Sequence, residues 1–227
     1  MKVAFRCYHA RRAASEIPRL AGPENRIAMK PDKKKWVHGE VRRQQIFDEA
    51  IDIIGQRGYR GFTLQELAQR CGLSNAGLLH HFPSKDQLLI GLLHERDRRD
   101  YAALDEAGLN FREAVELPIP FDALFKALRE VVVRDSKRPE IVRLYTVLRA
   151  ESLDEDHPAR DFFLARAKRA FEDLARMLES HVPDPQATAR QLIALHGGLE
   201  EQWLREERGF DLVAEWERGA SILLTRV

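Results

Sequence analysis

Residues Thr63 to Lys85 read TLQELAQRCGLSNAGLLHHFPSK. Thr63 and Glu66 have capping-box spacing: the hydroxyl can accept from the Glu66 amide while the carboxylate reaches back to the cap. Leu64, Leu67 and Ala68 then form a helical apolar stripe, and Gly72 can take the left-handed conformation that closes a helix. Ser74 is positioned to cap a second short helix from Asn75 to about His81, which stops against Phe82-Pro83. A further start falls at Ser84, with Lys85 and Asp86 opening a long helix rich in leucine. Two short helices joined by a tight turn are the layout that sets a helix into the DNA major groove.

The second short helix has the residues of a reader. Ser74, Asn75, Ala76 and Gly77 are small enough to bring its backbone close to a surface, and Asn75 can pair with a base edge. His80, His81 and Lys85 supply donors for phosphates, and Thr63 anchors the first helix beside them. Upstream, Ile46, Phe47, Ala50, Ile51, Ile53 and Ile54 follow helical spacing from Val41 to Gln56, with Gly58 and Gly61 framing a turn. Residues 1–35 carry prolines, many arginines and no periodicity. They are expected to form a disordered basic arm in which Lys33, Lys34 and Lys35 reach phosphates or the minor groove.

Downstream the pattern is helical throughout. The long helix is expected to run from Ser84 to about Leu109, followed by helices at Phe121–Ser136, from Pro139, from Pro158, from Pro185 to Gly209, and from Asp211 to Val227. No alternating strand pattern, internal repeat or low-complexity tract interrupts them. The fold class is all-α: a basic extension (1–35), a three-helix reading domain (36–97) and a helical domain (98–227).

Arg42 to about Asp97 resembles the DNA-binding domain of the tetracycline-repressor (TetR) family of bacterial regulators. The resemblance is carried by IFDEAIDIIGQRGYRGFT, LQELAQRCGLS and NAGLLHHFPSKDQLL, and above all by His81-Phe82-Pro83-Ser84-Lys85-Asp86. Many members place a phosphate-binding Tyr two residues before the position of His81. This chain has Leu79 there, which leaves that contact to His80 or His81. The resemblance implies a homodimeric repressor that binds a palindromic operator and is released by a small-molecule effector. It also implies that the last two helices pair with a second copy, with Leu195, Gly198, Leu199 and Gln202 as interface positions. An effector pocket is expected among the large residues Phe125, Leu144, Tyr145, Leu148, Phe163, His196 and Trp203. The alternatives are an activator without a small-molecule effector and an all-helical protein-interaction adaptor.

Composition fits these expectations. The chain has 227 residues, 44% hydrophobic and 32% charged, enough to bury a real core. No apolar run approaches the roughly 18 residues of a membrane span, and the start lacks a sustained apolar signal, so a cytoplasmic protein is expected. Cys7 and Cys71 make no disulfide framework. Residues 1–100 hold 19 Lys and Arg against 12 Asp and Glu, while residues 101–227 hold 18 against 24. One basic end suits phosphate neutralisation. His196 and Glu200 sit four apart on a helix, but no second His or Cys lies near them in sequence, so no metal site is expected. The absence of a phosphate loop, a nucleophile elbow and a recognisable triad predicts a non-enzyme without a cofactor.

Overall fold

Helix α1 (Lys33–Arg57) places Ile46, Ala50, Ile53 and Ile54 on one fully buried face, as their spacing predicts. It begins eight residues before the expected Val41, so Lys33, Lys34 and Lys35 occupy its first turn rather than an extended arm. The computed structural model describes residues 33–106 and 119–224; the rest of the arm lies outside the described residues. Gly58 ends α1 in the left-handed region, at φ 73°, where its amide donates to the Ile54 carbonyl.

Helices α2 (Leu64–Arg70) and α3 (Asn75–His81) follow, with caps largely as the sequence implies. Thr63 Oγ1 accepts from the Glu66 amide at 3.2 Å, and Ser74 Oγ accepts from the Gly77 amide at 3.1 Å. Gly72 has φ 63°, and the Leu73 and Gly72 amides donate to Ala68 and Gln69, the paired bonds of a Schellman stop. One expectation is corrected. The Glu66 carboxylate does not reach back to its cap; Arg57 of α1 takes it instead at 2.9 and 3.1 Å. Arg57 brings a full opposite charge and reaches both carboxylate oxygens, where the cap amide offers one neutral donor.

Helix α4 (Lys85–Glu106) is a continuous rod capped by Ser84, whose Oγ accepts from Gln87. Its expected continuation to Leu109 lies outside the described residues. Then come α5 (Phe121–Ser136), α6 (Pro139–Glu151), α7 (Arg160–Leu178), α8 (Pro185–Arg205) and α9 (Leu212–Leu223). Pro139 and Pro185 stand in first turns, and Asp184 and Asp211 cap α8 and α9 through their side chains. Pro158 precedes its helix by two residues. Helix α8 stops at Arg205, before the expected Gly209, because Glu207 and Arg208 turn left-handed with φ 52° and 67°. No strand occurs among the described residues, and no helix there is long and apolar enough to cross a membrane.

Among the described residues two apolar cores hold the helices together. In the first, Ile46, Phe62, Leu67, Leu78, Phe82 and Leu92 of the three-helix head pack in one cluster with Leu144 and Leu148 of α6 and Phe162 and Phe163 of α7. Gly55 lets α1 cross α6 closely: an added Cβ would stand 3.4 Å from the Leu144 amide nitrogen. The second joins α5, the far half of α7, α8 and α9 around Trp203 and Trp216.

Candidate nucleic-acid interface and effector cavity

Helix α3 is held by one side and shows the other. Leu78 is fully buried, while Ser74, Asn75, Ala76, Leu79 and His80 are exposed and Gly77 is half-buried. The structure thus brings the expected reading residues together on one capped helix. Ser74 and Thr63 accept from backbone amides, which leaves each hydroxyl proton free to donate outward. Leu79 offers an apolar contact, of the kind that suits a thymine methyl, in place of a hydroxyl.

Other residues were not legible. Arg42 Nη2 donates to the Cys71 carbonyl and Arg43 Nη1 to the His81 carbonyl, both at 2.9 Å, so α1 clamps the turn and the end of α3. The Arg43 guanidinium also lies 4.3 Å from the Phe82 ring centroid. The two arginines were visible as charge ahead of a core helix, but their carbonyl partners are set only by the fold. Burial, reinforced by His80, Arg43 and Arg42, pulls the His81 pKa below the ordinary histidine value, so near neutral pH it acts as an uncharged group.

Lys85 is corrected. Its ammonium donates to the Phe62 carbonyl at 2.6 Å and lies 4.4 Å from the ring centroids of both Tyr59 and Phe62. Burial lowers its pKa, against the opposing charges of Asp86 and Glu151. An amine held in this way fixes the loop before α2. Lys33, Lys34 and Lys35 sit at the start of α1, and their side chains lie outside the described part of the structure.

The head is latched to the body at Gly58. A Cβ there would collide with the Glu151 carboxylate, which accepts from the Tyr59 amide at 2.7 Å. Arg60 pairs with Asp154 beside it, and the Tyr59 hydroxyl donates to Asp86. His157, buried against Tyr59, lies 3.7 Å from Glu151; burial lowers its pKa despite that carboxylate.

The seven effector candidates lie mainly in the two cores. Leu144, Tyr145, Leu148 and Phe163 are core between head and body, and Phe125 packs on Trp216. Trp203 is buried in the second core, and His196 faces Asp135 and Glu200. None of the seven lines the cavity of about 250 Å³ between α4, α5, α7 and α8. Its apolar wall is Leu128, Val131, Leu174, Met177 and Ile193, and its polar end holds Arg134, Arg138, Arg166, Asp97 and Asp100.

At that polar end Asp100 accepts from Arg134 at 2.8 Å and Arg138 at 3.1 Å, and Arg96 lies 2.8 Å from the same oxygen. Asp97 accepts from the Tyr145 hydroxyl at 3.0 Å and from Arg166 at 3.2 Å. A larger open groove of about 580 Å³ lies between α1, α6 and the end of α8, but it is lined mainly by charged and polar side chains.

Of the expected self-association positions, Gln202 is exposed and the missing Gly198 Cβ faces open space. Leu195 and Leu199 are half-buried against the second core, with Leu195 tight against Gly219 of α9.

Two short capped helices on a supporting helix, with polar side chains displayed by the second, define a helix-turn-helix protein. Residues 46–92 match the model of bacterial regulatory proteins of the tetR family. The chain is 32% identical over 170 residues to the HTH-type transcriptional regulator BetI of Stenotrophomonas maltophilia, covering 73% of this chain and 81% of that one. It is 32% identical over 116 residues to the HTH-type transcriptional repressor Rv1474c of Mycobacterium tuberculosis, covering 50% of this chain and 62% of that repressor. Among solved structures, the transcriptional regulator FadR from Bacillus subtilis in complex with stearoyl-CoA shares the fold. It has TM-score 0.63 and 16% identity, over 81% of this chain and 98% of that one. This chain belongs to the tetR family.

Proposed function

We propose that this protein is a cytoplasmic, homodimeric transcriptional repressor that binds a palindromic operator through α3 and releases it when a small molecule occupies the α4–α5–α7–α8 cavity. The observation that carries the reading is α3 itself: a helix fixed by two caps, Leu78 and two arginine clamps, with Ser74, Asn75, Ala76, Leu79 and His80 outward. Two copies joined through the stripe Leu195, Gly198, Leu199 and Gln202 would set two such helices on half-sites about 34 Å apart.

The cavity supplies a means of release. Three residues separate the end of α3 from the start of α4, and Asp97 and Asp100 lie on α4 about 20 Å from its start. A ligand with an apolar body and an anionic group would compete with those carboxylates for Arg134, Arg138 and Arg166. Breaking the pairs frees α4 to tilt and changes the spacing of the reading heads. The stearoyl-CoA bound by the FadR relative, an acyl chain on an anionic carrier, supports this class.

Selection of bound fragments from a random DNA pool, at about 150 mM salt to suppress non-specific phosphate binding, tests the reading. An enriched inverted repeat is the expected result. A folded protein that enriches nothing would instead be an adaptor built on the same fold.

A further inference from the structure

One side-chain cluster stands apart from the reading head and beside the cavity's arginine pairs. His196 and Glu200 lie one turn apart on α8, and Asp135 meets them from the last turn of α5. His196 Nε2 is 3.3 Å from Asp135 Oδ2 and 3.6 Å from Glu200 Oε1, and the three ligand atoms all lie within 4.8 Å of one another. Nε2 itself is buried, yet at neither carboxylate does it meet hydrogen-bond geometry among the described residues. A buried ring nitrogen left this way calls for an ion or a water at the centre of the cluster.

The spacing fits an ion. With bonds of about 2.0–2.2 Å to nitrogen and oxygen, a tetrahedral site has ligand–ligand edges of roughly 3.3–3.6 Å. The two His196 edges have those lengths, and the edge between the carboxylates lies within 4.8 Å. Each carboxylate is also steered from behind. Arg149 Nη2 donates to Glu200 Oε2 at 3.0 Å, and Arg138 Nη2 lies 3.8 Å from Asp135 Oδ1. The opposite oxygens, Oε1 and Oδ2, are the ones that face the imidazole. Outer partners of this kind fix the orientation of metal-binding carboxylates.

We propose that Asp135, His196 and Glu200 bind a divalent transition cation, with Zn²⁺ the best match to one imidazole and two carboxylates. The two carboxylates balance the ion's charge, and three protein ligands leave room for water to complete the shell. Asp135 also lies on the wall of the cavity. The ion therefore ties α5, beside the cavity, to α8, which carries the stripe assigned above to self-association. Binding itself requires neither DNA nor a second copy.

The test uses the full chain, stripped with a chelator and titrated with Zn²⁺ by equilibrium dialysis and with Co²⁺ by its visible d–d absorption. One ion per chain is expected, with the band intensity of a low-coordinate site. His196→Asn and Asp135→Asn, each checked for native helicity by circular dichroism, should weaken Zn²⁺ binding by at least about 100-fold. Arg149→Met should weaken it by about tenfold through the outer partner. Two results overturn the proposal. One is a folded wild-type chain that takes up no metal, which would mark the cluster as an imidazolium held between two acids. The other is uptake unchanged by both His196→Asn and Asp135→Asn, which would place the ion elsewhere.

Discussion

Asn75 and Lys85 stand ten residues apart, and the structure separates their roles. Asn75 is exposed on α3 and has the amide geometry that pairs with adenine. Asn75→Ala should alter preference at one base pair in each half-site, by about 1–3 kcal/mol across a panel of operator variants. Equal weakening of every operator would remove it from base reading. Lys85, by contrast, holds the Phe62 carbonyl and two aromatic faces. Lys85→Ala should lower the denaturation midpoint by the equivalent of about 1–2 kcal/mol. The slope of log affinity against log salt should stay where it was, because no phosphate contact is lost. For Lys85 the sequence shows only an ammonium at a helix start, and its hydrogen bond to the Phe62 carbonyl is set by the fold.

Elements were legible wherever their signals are local. Thr63 and Ser74 cap their helices as their spacing implies, because each acts within three residues of itself; Asp184 and Asp211, not singled out as caps, act over the same short range. Ser74→Ala should cost about 1 kcal/mol of stability and loosen α3, read as faster amide exchange at Gly77. What was not legible depends on pairs far apart in sequence: Glu66 with Arg57, Asp100 with Arg134 and Arg138, and His196 with Asp135. Helical periodicity names the face a residue shares and says nothing of which helix will oppose it. Gly58 joins the two levels. Its left-handed backbone follows from ending α1, while the Glu151 carboxylate fills the space a side chain would need. Gly58→Ala should therefore destabilise by more than the roughly 1 kcal/mol of left-handed strain alone, measured by urea unfolding. Glu151→Ala in the same chain should restore part of the loss.

At the scale of the whole molecule, charge and core divide the chain differently. The excess of Lys and Arg lies in residues 1–100 and the excess of acid beyond them. Operator affinity should accordingly fall by about a thousandfold or more between 50 and 200 mM salt, a range set by six or more phosphate contacts and readable by fluorescence anisotropy. The apolar core ignores that boundary. Leu144 and Leu148 of α6 and Phe162 and Phe163 of α7 are as much part of the head's interior as Leu67 or Leu78. A head cut free at residue 97 would therefore leave its own leucines without their cover. Interchange of parts among relatives is constrained in the same way: under the proposed function a new operator preference is carried by α3 alone, whereas a transplanted head must bring the matching faces of α6 and α7. Variation at the reading surface is cheap for this architecture, and recombination at the domain boundary is not.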